Sequence, residues 1–207
     1  MNTLNYLSKS PHRNQLEQYV KENLPKLRGN ILDVGSKNRR YDYLMPSRPV
    51  AVDIVENKKK NVKYGDVHSL PFANNSFDSV VCLEVFEYTP TPTKAISEIY
   101  RVLKKGGTLI FSVPFMYKYH EDYLRYTVKY LKRELFKGFP QCQTYRIGNA
   151  YTIILTIIRD KITRIESRFL RIFFFAFYSL LVLFIPLSKK LSKDENYASG
   201  FFIVAKK

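Results

Sequence analysis

The chain of 207 residues has no tryptophan, only two cysteines and only three histidines. Cys82 and Cys142 are too few for a disulfide framework, and free thiols fit a reducing compartment. The histidines and cysteines are too scattered for a closely spaced zinc site, and no internal repeat is visible. The opening stretch MNTLNYLSKSPHRNQLEQYV lacks the apolar core of a signal peptide, so a cytoplasmic protein is expected. Acidic residues are in the minority, with 18 Asp and Glu against 34 Lys and Arg, a net charge of +16. Such a balance favours nucleic acid, anionic lipid or an acidic substrate as partner, or serves solubility alone.

What is present suffices for a core. Hydrophobic residues make up 45% and aromatics 15%, which excludes a disordered chain. The length corresponds to one domain. The organising stretch runs from Gly65 to Gly107, GDVHSLPFANNSFDSVVCLEVFEYTPTPTKAISEIYRVLKKGG. Within it, Val80 to Leu83 form a continuous apolar run, the mark of a strand buried on both faces of a parallel sheet. Ala95, Ile96, Ile99, Val102 and Leu103 recur at helical spacing. Thr93 is the expected N-cap, and Gly106-Gly107 the expected stop. A new apolar strand, Thr108 to Val113, completes a right-handed βαβ unit.

The order GD, LPF, SFD, an acidic residue after the strand, then RVLKKGG resembles the type 11 group of class I methyltransferases, which use S-adenosylmethionine. The resemblance spans residues 30–140 and the final strand. It implies a Rossmann-like α/β fold with seven mostly parallel strands, helices on both faces and an antiparallel last strand. It also implies one methyltransferase domain over 1–207, with its cofactor-binding core at 28–140.

Four loops carry the implied cofactor site. Asn30 to Val34 reads as the first strand and runs into Gly35, where a tight turn lets the backbone approach a nucleoside ligand. The family carries two further glycines, where this sequence has Lys37 and Arg39. Ser36 and Asn38 can still donate hydrogen bonds and turn the chain. The resemblance assigns Asp33 to the methionine part of the cofactor. Lys37 either reaches the methionine carboxylate or points to solvent. Val50 to Ile54 is the second strand, and Asp53 at its carboxyl end can accept two ribose hydroxyls. Asp66 is assigned to the adenine amino group and the Val67 amide to an adenine ring nitrogen. Leu83 and Glu84 face the cleft beyond the fourth strand. Tyr88 stands where relatives carry His.

The fifth strand ends at Pro114, and PFMYKYHEDYLRYT follows. This resembles the H-x-D-Y-x-R-Y-T segment of methyltransferases associated with cell-surface sugar and lipid pathways. His120 is a candidate general base. Asp122, the second candidate catalytic residue, orients it, binds a hydroxyl, or pairs with Arg125 to fix the loop. A helix over Thr127 to Phe136 and a strand over Gln143 to Ile147 come next. An opening helix over residues 8–25 is expected to end at Pro25.

Ile172 to Leu187, IFFFAFYSLLVLFIPL, has no charge and is flanked by Arg159, Lys161, Arg164, Arg168 and Arg171 before it and Lys189, Lys190 and Lys193 after it. As one helix it is too short to span a bilayer, and Pro186 is expected to end it. It falls in an apolar helical insertion, 150–192, before a final strand at 197–206. That strand must insert between the fifth and sixth, so one membrane crossing would leave it on the wrong side. The open readings are an interfacial helix or lid, with an anionic membrane surface bound through 159–193, a buried or homodimer helix, and a true span. The leading function is methyl transfer from S-adenosylmethionine to oxygen of a small-molecule or lipid-linked acceptor, by a protein peripheral to the inner face of the membrane. The rivals are an RNA methyltransferase and a non-catalytic membrane-associated protein of the same fold.

Overall fold

The computed structural model describes residues 7–118, 122–191 and 197–207. The chain divides into two compact units. One comprises Met1–Gln18, Phe115–His120 and Arg146–Gly200; the other comprises Tyr19–Pro114, Glu121–Tyr145 and Phe201–Lys207.

The second unit is built on a sheet of β1 (Ile31–Val34), β2 (Val50–Asp53), β3 (Val62–Tyr64), β4 (Phe77–Leu83), β5 (Leu103–Pro114), β6 (Gln141–Ile147) and β7 (Gly200–Lys206). Their order is β3-β2-β1-β4-β5-β7-β6, so β7 does insert between the fifth and sixth strands. The pairs β1–β2, β1–β4, β2–β3 and β4–β5 are parallel. The last strand runs the other way. The Gly106 amide at one end of β5 donates to Lys207 O, whereas the Phe115 amide beyond its other end donates to Ser199 O, before β7 begins. The fold is the mostly parallel, Rossmann-like sheet that the resemblance implies, with helices around it.

Burial explains the strand pattern. In β4, Val80, Val81 and Cys82 are all fully buried, as are Leu109 and Phe111 of β5. A run apolar on both faces can be satisfied only inside a covered parallel sheet. Each such side chain contributes about 2 kcal/mol on leaving water. Phe111 adds edge-to-face contacts with Phe86 and Phe136 at centroid separations of 4.8 and 5.1 Å. Helix α1 (Pro11–Asn23) precedes the sheet, and α2 (Pro92–Val102) links β4 to β5. Ala95, Ile96, Ile99 and Val102 form the buried face of α2.

Several boundaries differ from the sequence reading. Helix α1 stops at Asn23, and Pro25 lies within a 3-10 turn, Leu24–Lys26, rather than closing the α-helix. The N-cap of α2 is Thr91, not Thr93, because Pro92 fits the first helical position, where no amide is needed. The helix ends at Val102 rather than at Gly106-Gly107. Leu103 is already extended, and β5 starts there. The physical cause is pairing with the C-terminus: the Gly106 amide donates to Lys207 O and the Lys207 amide to Gly107 O. The short helix α3 (Val128–Tyr130) continues as a π-helical turn over Leu131–Leu135. Thr127 does cap it, its hydroxyl accepting from the Tyr130 amide at 3.2 Å.

The first unit contains α4 (Ala150–Thr163), α5 (Arg168–Val182) and α6 (Ile185–Leu191). Asn149 caps α4 through a capping box with Thr152, and Ser167 caps α5. The apolar run is thus two helices rather than one. Pro186 sits near the start of α6, a position that tolerates a missing amide. Leu155, Ile162, Tyr178, Val182 and Ile185 form a compact cluster among these helices. No described helix is long and apolar enough to cross a membrane.

Candidate functional site

Parallel register sets the carboxyl ends of β3, β2, β1 and β4 side by side. Asp53 pairs with Tyr64, Val34 with Val52, and Val34 with Cys82. The strand order reverses around β1, which makes this edge a topological switch point, where open α/β sheets bind ligands. The loops leaving these four strands hold Gly35 to Lys37, Ile54, Asp66 and Val67, and Glu84, with Asp33, Asp53 and Leu83 on the strands themselves. The ten residues assigned to a cofactor therefore fall along one edge.

The first loop has almost no lateral room. A Cβ on Gly35 would lie 2.2 Å from Val85 Cγ2, and its φ is +76°. The Gly35 and Ser36 amides both donate to Val52 O, at 2.8 and 3.1 Å, tying this turn to β2. Arg39, where the resembled pattern has glycine, keeps a glycine-like φ of +51°. A side chain in that conformation costs about 1–2 kcal/mol. The guanidinium offsets it by turning away into bonds with Asp42 Oδ2 at 2.7 Å, Asn61 O at 2.9 Å and Pro49 O at 2.9 Å. The departure from the glycine pattern thus leaves the left-handed backbone in place. Lys37 is exposed, and Asn38 is held by Lys60 Nζ at 3.1 Å.

Asp33 is buried at 8% exposure. Burial is the main cause that lifts its carboxyl to about 7; Ser36 and the Arg39 guanidinium oppose the rise, and Asp42 and Asp53 add to it. Asp53 Oδ1 accepts the Val55 amide at 2.9 Å. Ile54 beside it is 67% exposed, whereas Val67 is buried. Asp66 is engaged by His68 through the backbone amide at 2.8 Å and through Nδ1 at 2.7 Å. The His68 backbone bond is the main cause that holds its carboxyl below the usual range, so it remains a charged acceptor. His68 is therefore a direct partner of Asp66. Glu84 lies at φ +56°, a strained conformation that clusters at binding sites. Its amide donates to Ser112 O at 3.0 Å and its Oε1 accepts from Ser112 Oγ at 2.9 Å.

Glu87 escaped the sequence reading. It is 3% exposed, and its Oε2 has no hydrogen-bond partner among the described residues. Burial first, and then the Glu84 charge, push its carboxyl up to about 9, so it is a neutral acid at physiological pH. The loop after β5 closes over it: the Tyr123 and Leu124 amides donate to Glu87 O at 2.7 and 3.2 Å, and Tyr126 Oη donates to Phe86 O at 2.8 Å. The second acidic residue of EVFEY was the available sign, but its burial depends on a loop some 35 residues away.

Of the two candidate catalytic residues, His120 lies outside the described residues. Asp122 forms a bidentate pair with Arg125, through Nε to Oδ2 and through Nη2 to Oδ1 at 3.0 Å. Of its three readings, the loop-fixing pair is the one seen. Tyr88 is 44% exposed. A separate cavity of about 650 Å³, lined by Lys26, Arg28, Lys105 and Lys206 among others, lies at the amino ends of the strands and is not part of this site.

These groups suit a nucleoside joined to an amino acid. A glycine cradle without side-chain room, a carboxylate at the β2 end, and a charged acceptor after β3 offer places for ribose, adenine and an amino-acid tail.

Residues 32–111 match the Methyltransf_11 family model, described as a methyltransferase domain. Over these residues the match agrees with the methyltransferase resemblance read from the sequence. A sterol 24-C-methyltransferase of Kluyveromyces lactis is 31% identical over 109 residues, covering 52% of this chain and 29% of that one. A demethylmenaquinone methyltransferase of Renibacterium salmoninarum is 39% identical over 70 residues, 32% of this chain and 30% of its own. The chain thus spans less than a third of the length of these curated relatives. The solved structure of Haemonchus contortus phosphoethanolamine N-methyltransferase 2 with S-adenosyl-L-methionine superposes with a TM-score of 0.60 at 22% identity, covering 94% of this chain and 52% of that one. That likeness is one of fold.

Proposed function

We propose that the chain is an S-adenosylmethionine-dependent methyltransferase acting on oxygen of a small-molecule or lipid-linked acceptor. The observation that carries it is the convergence of Asp33, Gly35, Asp53, Asp66 and Glu84 on the carboxyl edge of β3-β2-β1-β4, within the stretch that matches the methyltransferase model. The chain is read as one methyltransferase domain carrying an apolar helical insertion at 150–192.

Asp53 would hold the ribose hydroxyls, with Ile54 beside it. Asp66 and the Val67 amide would hold adenine. Asp33, Gly35, Ser36 and Lys37 would hold the amino-acid tail, and Leu83 and Glu84 would border the ligand. When bound, S-adenosylmethionine supplies a methyl group already activated by its sulfonium. The chain's task is alignment of the acceptor and removal of one hydroxyl proton. The proton acceptor we assign is His120, two residues before Asp122 in sequence. One relative is named a sterol 24-C-methyltransferase and another a demethylmenaquinone methyltransferase, which supports a lipid-like acceptor. We read the chain, with such an acceptor, as a peripheral protein at the cytoplasmic face of a membrane.

The test is incubation with methyl-labelled S-adenosylmethionine and separate membrane-lipid, water-soluble and RNA fractions. The expected result is label in a lipid or small-molecule fraction as an alkali-stable methyl ether, lost in Asp53→Ala. Label only in RNA, or on carbon or nitrogen of a lipid, would replace the corresponding part of the proposal. Cofactor binding without transfer to any fraction would favour a non-catalytic protein.

A further inference from the structure

In the first unit, α5 packs through one narrow stripe. Tyr178 and Val182 are buried against Leu155 and Ile162 of α4, with Phe175 half-buried beside them. These positions follow helical spacing and use one side of the helix. The remaining circumference is apolar and open. Phe169 is 82% exposed, Ile172 61%, Phe173 64%, Phe177 58% and Leu180 58%, and Phe184 beyond the helix end is 55% exposed. By helical geometry these residues sweep an arc of about 140°. Scattered exposed apolar residues are ordinary, but a continuous face of large ones marks a binding surface.

Basic residues gather at the amino end of this face. Lys161, Arg164 and Arg168 are exposed around the α4–α5 turn, and Lys189, Lys190 and Lys193 follow the apolar run in sequence. Acidic residues are few there: Asp160 pairs with Arg164 at 2.9 Å, and Glu166 lies in the turn. The 15 residues of α5 make a helix about 22 Å long, short of the roughly 30 Å hydrocarbon layer. A helix with a wide apolar face, arginines only in its first turn and too little length to span has the composition of an interfacial helix.

We propose that α5 is a membrane-docking element, lying in the plane of an anionic bilayer with Phe173 and Phe177 in the acyl boundary and the flanking Lys and Arg on lipid phosphates. Charge favours this occupant over a second copy of the chain. α5 carries no acidic residue to meet the basic end of a second copy, whereas lipid phosphates meet it directly. The proposal rests on the methyltransferase reading only for its purpose, which is to hold the protein where a lipid-linked acceptor resides. Vesicle binding requires no cofactor, so the two readings fail separately.

The test is flotation of the full chain with vesicles of three parts phosphatidylcholine to one part phosphatidylglycerol, and with phosphatidylcholine alone. The expected result is binding to the anionic vesicles that weakens with salt. Phe173→Ser with Phe177→Ser should lower the partition coefficient by about tenfold or more, with the far-ultraviolet dichroism unchanged. Arg164→Gln with Arg168→Gln should reduce the preference for the anionic mixture. Because the chain has no tryptophan, Phe177→Trp supplies a single reporter whose emission should shift to the blue on binding. A folded chain that ignores both vesicle types, or binds equally well without the two phenylalanines, would overturn the proposal. So would a dimer that dissociates on Phe173→Ser while no vesicle binding is seen, since the face would then belong to a second copy.

Discussion

Replacing Asp33 by asparagine should make the protein more stable, by an amount that grows with pH. The carboxyl sits on β1 with 8% exposure, and burial lifts its pKa to about 7, against an ordinary value near 3.9. Between about pH 4 and pH 7 the unfolded chain has released this proton while the folded chain retains it. The folded state then binds more protons, so stability falls as pH rises through that window. Each unit is equivalent to ~1.4 kcal/mol, and the loss approaches ~4 kcal/mol by pH 7 before levelling off. Asparagine has nearly the same shape and no proton to lose. Urea unfolding of wild type and Asp33→Asn at pH 5, 6, 7 and 8 gives the difference directly. It should rise by ~1.4 kcal/mol per unit up to about pH 7 and flatten above it. A difference independent of pH would refute the protonated Asp33. A difference that shrinks as pH rises would mean that the folded state favours the charged form.

Two further substitutions probe the first loop. Gly35→Ala places a Cβ at 2.2 Å from Val85 Cγ2 with φ at +76°, so a loss of ~2 kcal/mol or more is expected in thermal or urea unfolding. Val85→Ala in the same chain should restore part of that loss, because the clash is relieved and the backbone strain is not. Arg39→Ala removes the bonds to Asp42, Asn61 and Pro49 but keeps a side chain at φ +51°, and should cost ~2–3 kcal/mol. Arg39→Gly should cost less by ~1 kcal/mol, since glycine bears no penalty at that φ; equal losses would show that the loop stores no strain there.

The sheet was legible because its signals are local. The continuous apolar run of β4, the glycine after β1 and the acid at the end of β2 each reflect what a single strand or turn must satisfy. Insertion of β7 between β5 and β6 followed from the resemblance and survives in the strand order. What was not legible depends on residues distant in sequence. Arg39 looked like damage to a glycine loop, yet its carbonyl partners come from Pro49 and Asn61. The end of α2 was misplaced because Gly106 and Gly107 bond to Lys207 at the other end of the chain. Glu87 looked like one more charged residue until the 123–126 loop closed on it. The uncharged run from Ile172 to Leu187 was read as one helix. Local sequence does not show that Pro186 opens a second helix instead of merely ending the first.

Cofactor binding is the step on which the functional account stands. Calorimetric titration of S-adenosylmethionine and of its demethylated product into wild type and Asp53→Ala tests it most directly. The account predicts saturable binding of both ligands by wild type, weakened at least about tenfold by Asp53→Ala through loss of charge-assisted bonds to the ribose. Folded wild-type protein that binds neither ligand, or an Asp53→Ala protein that binds as tightly as wild type, would contradict it.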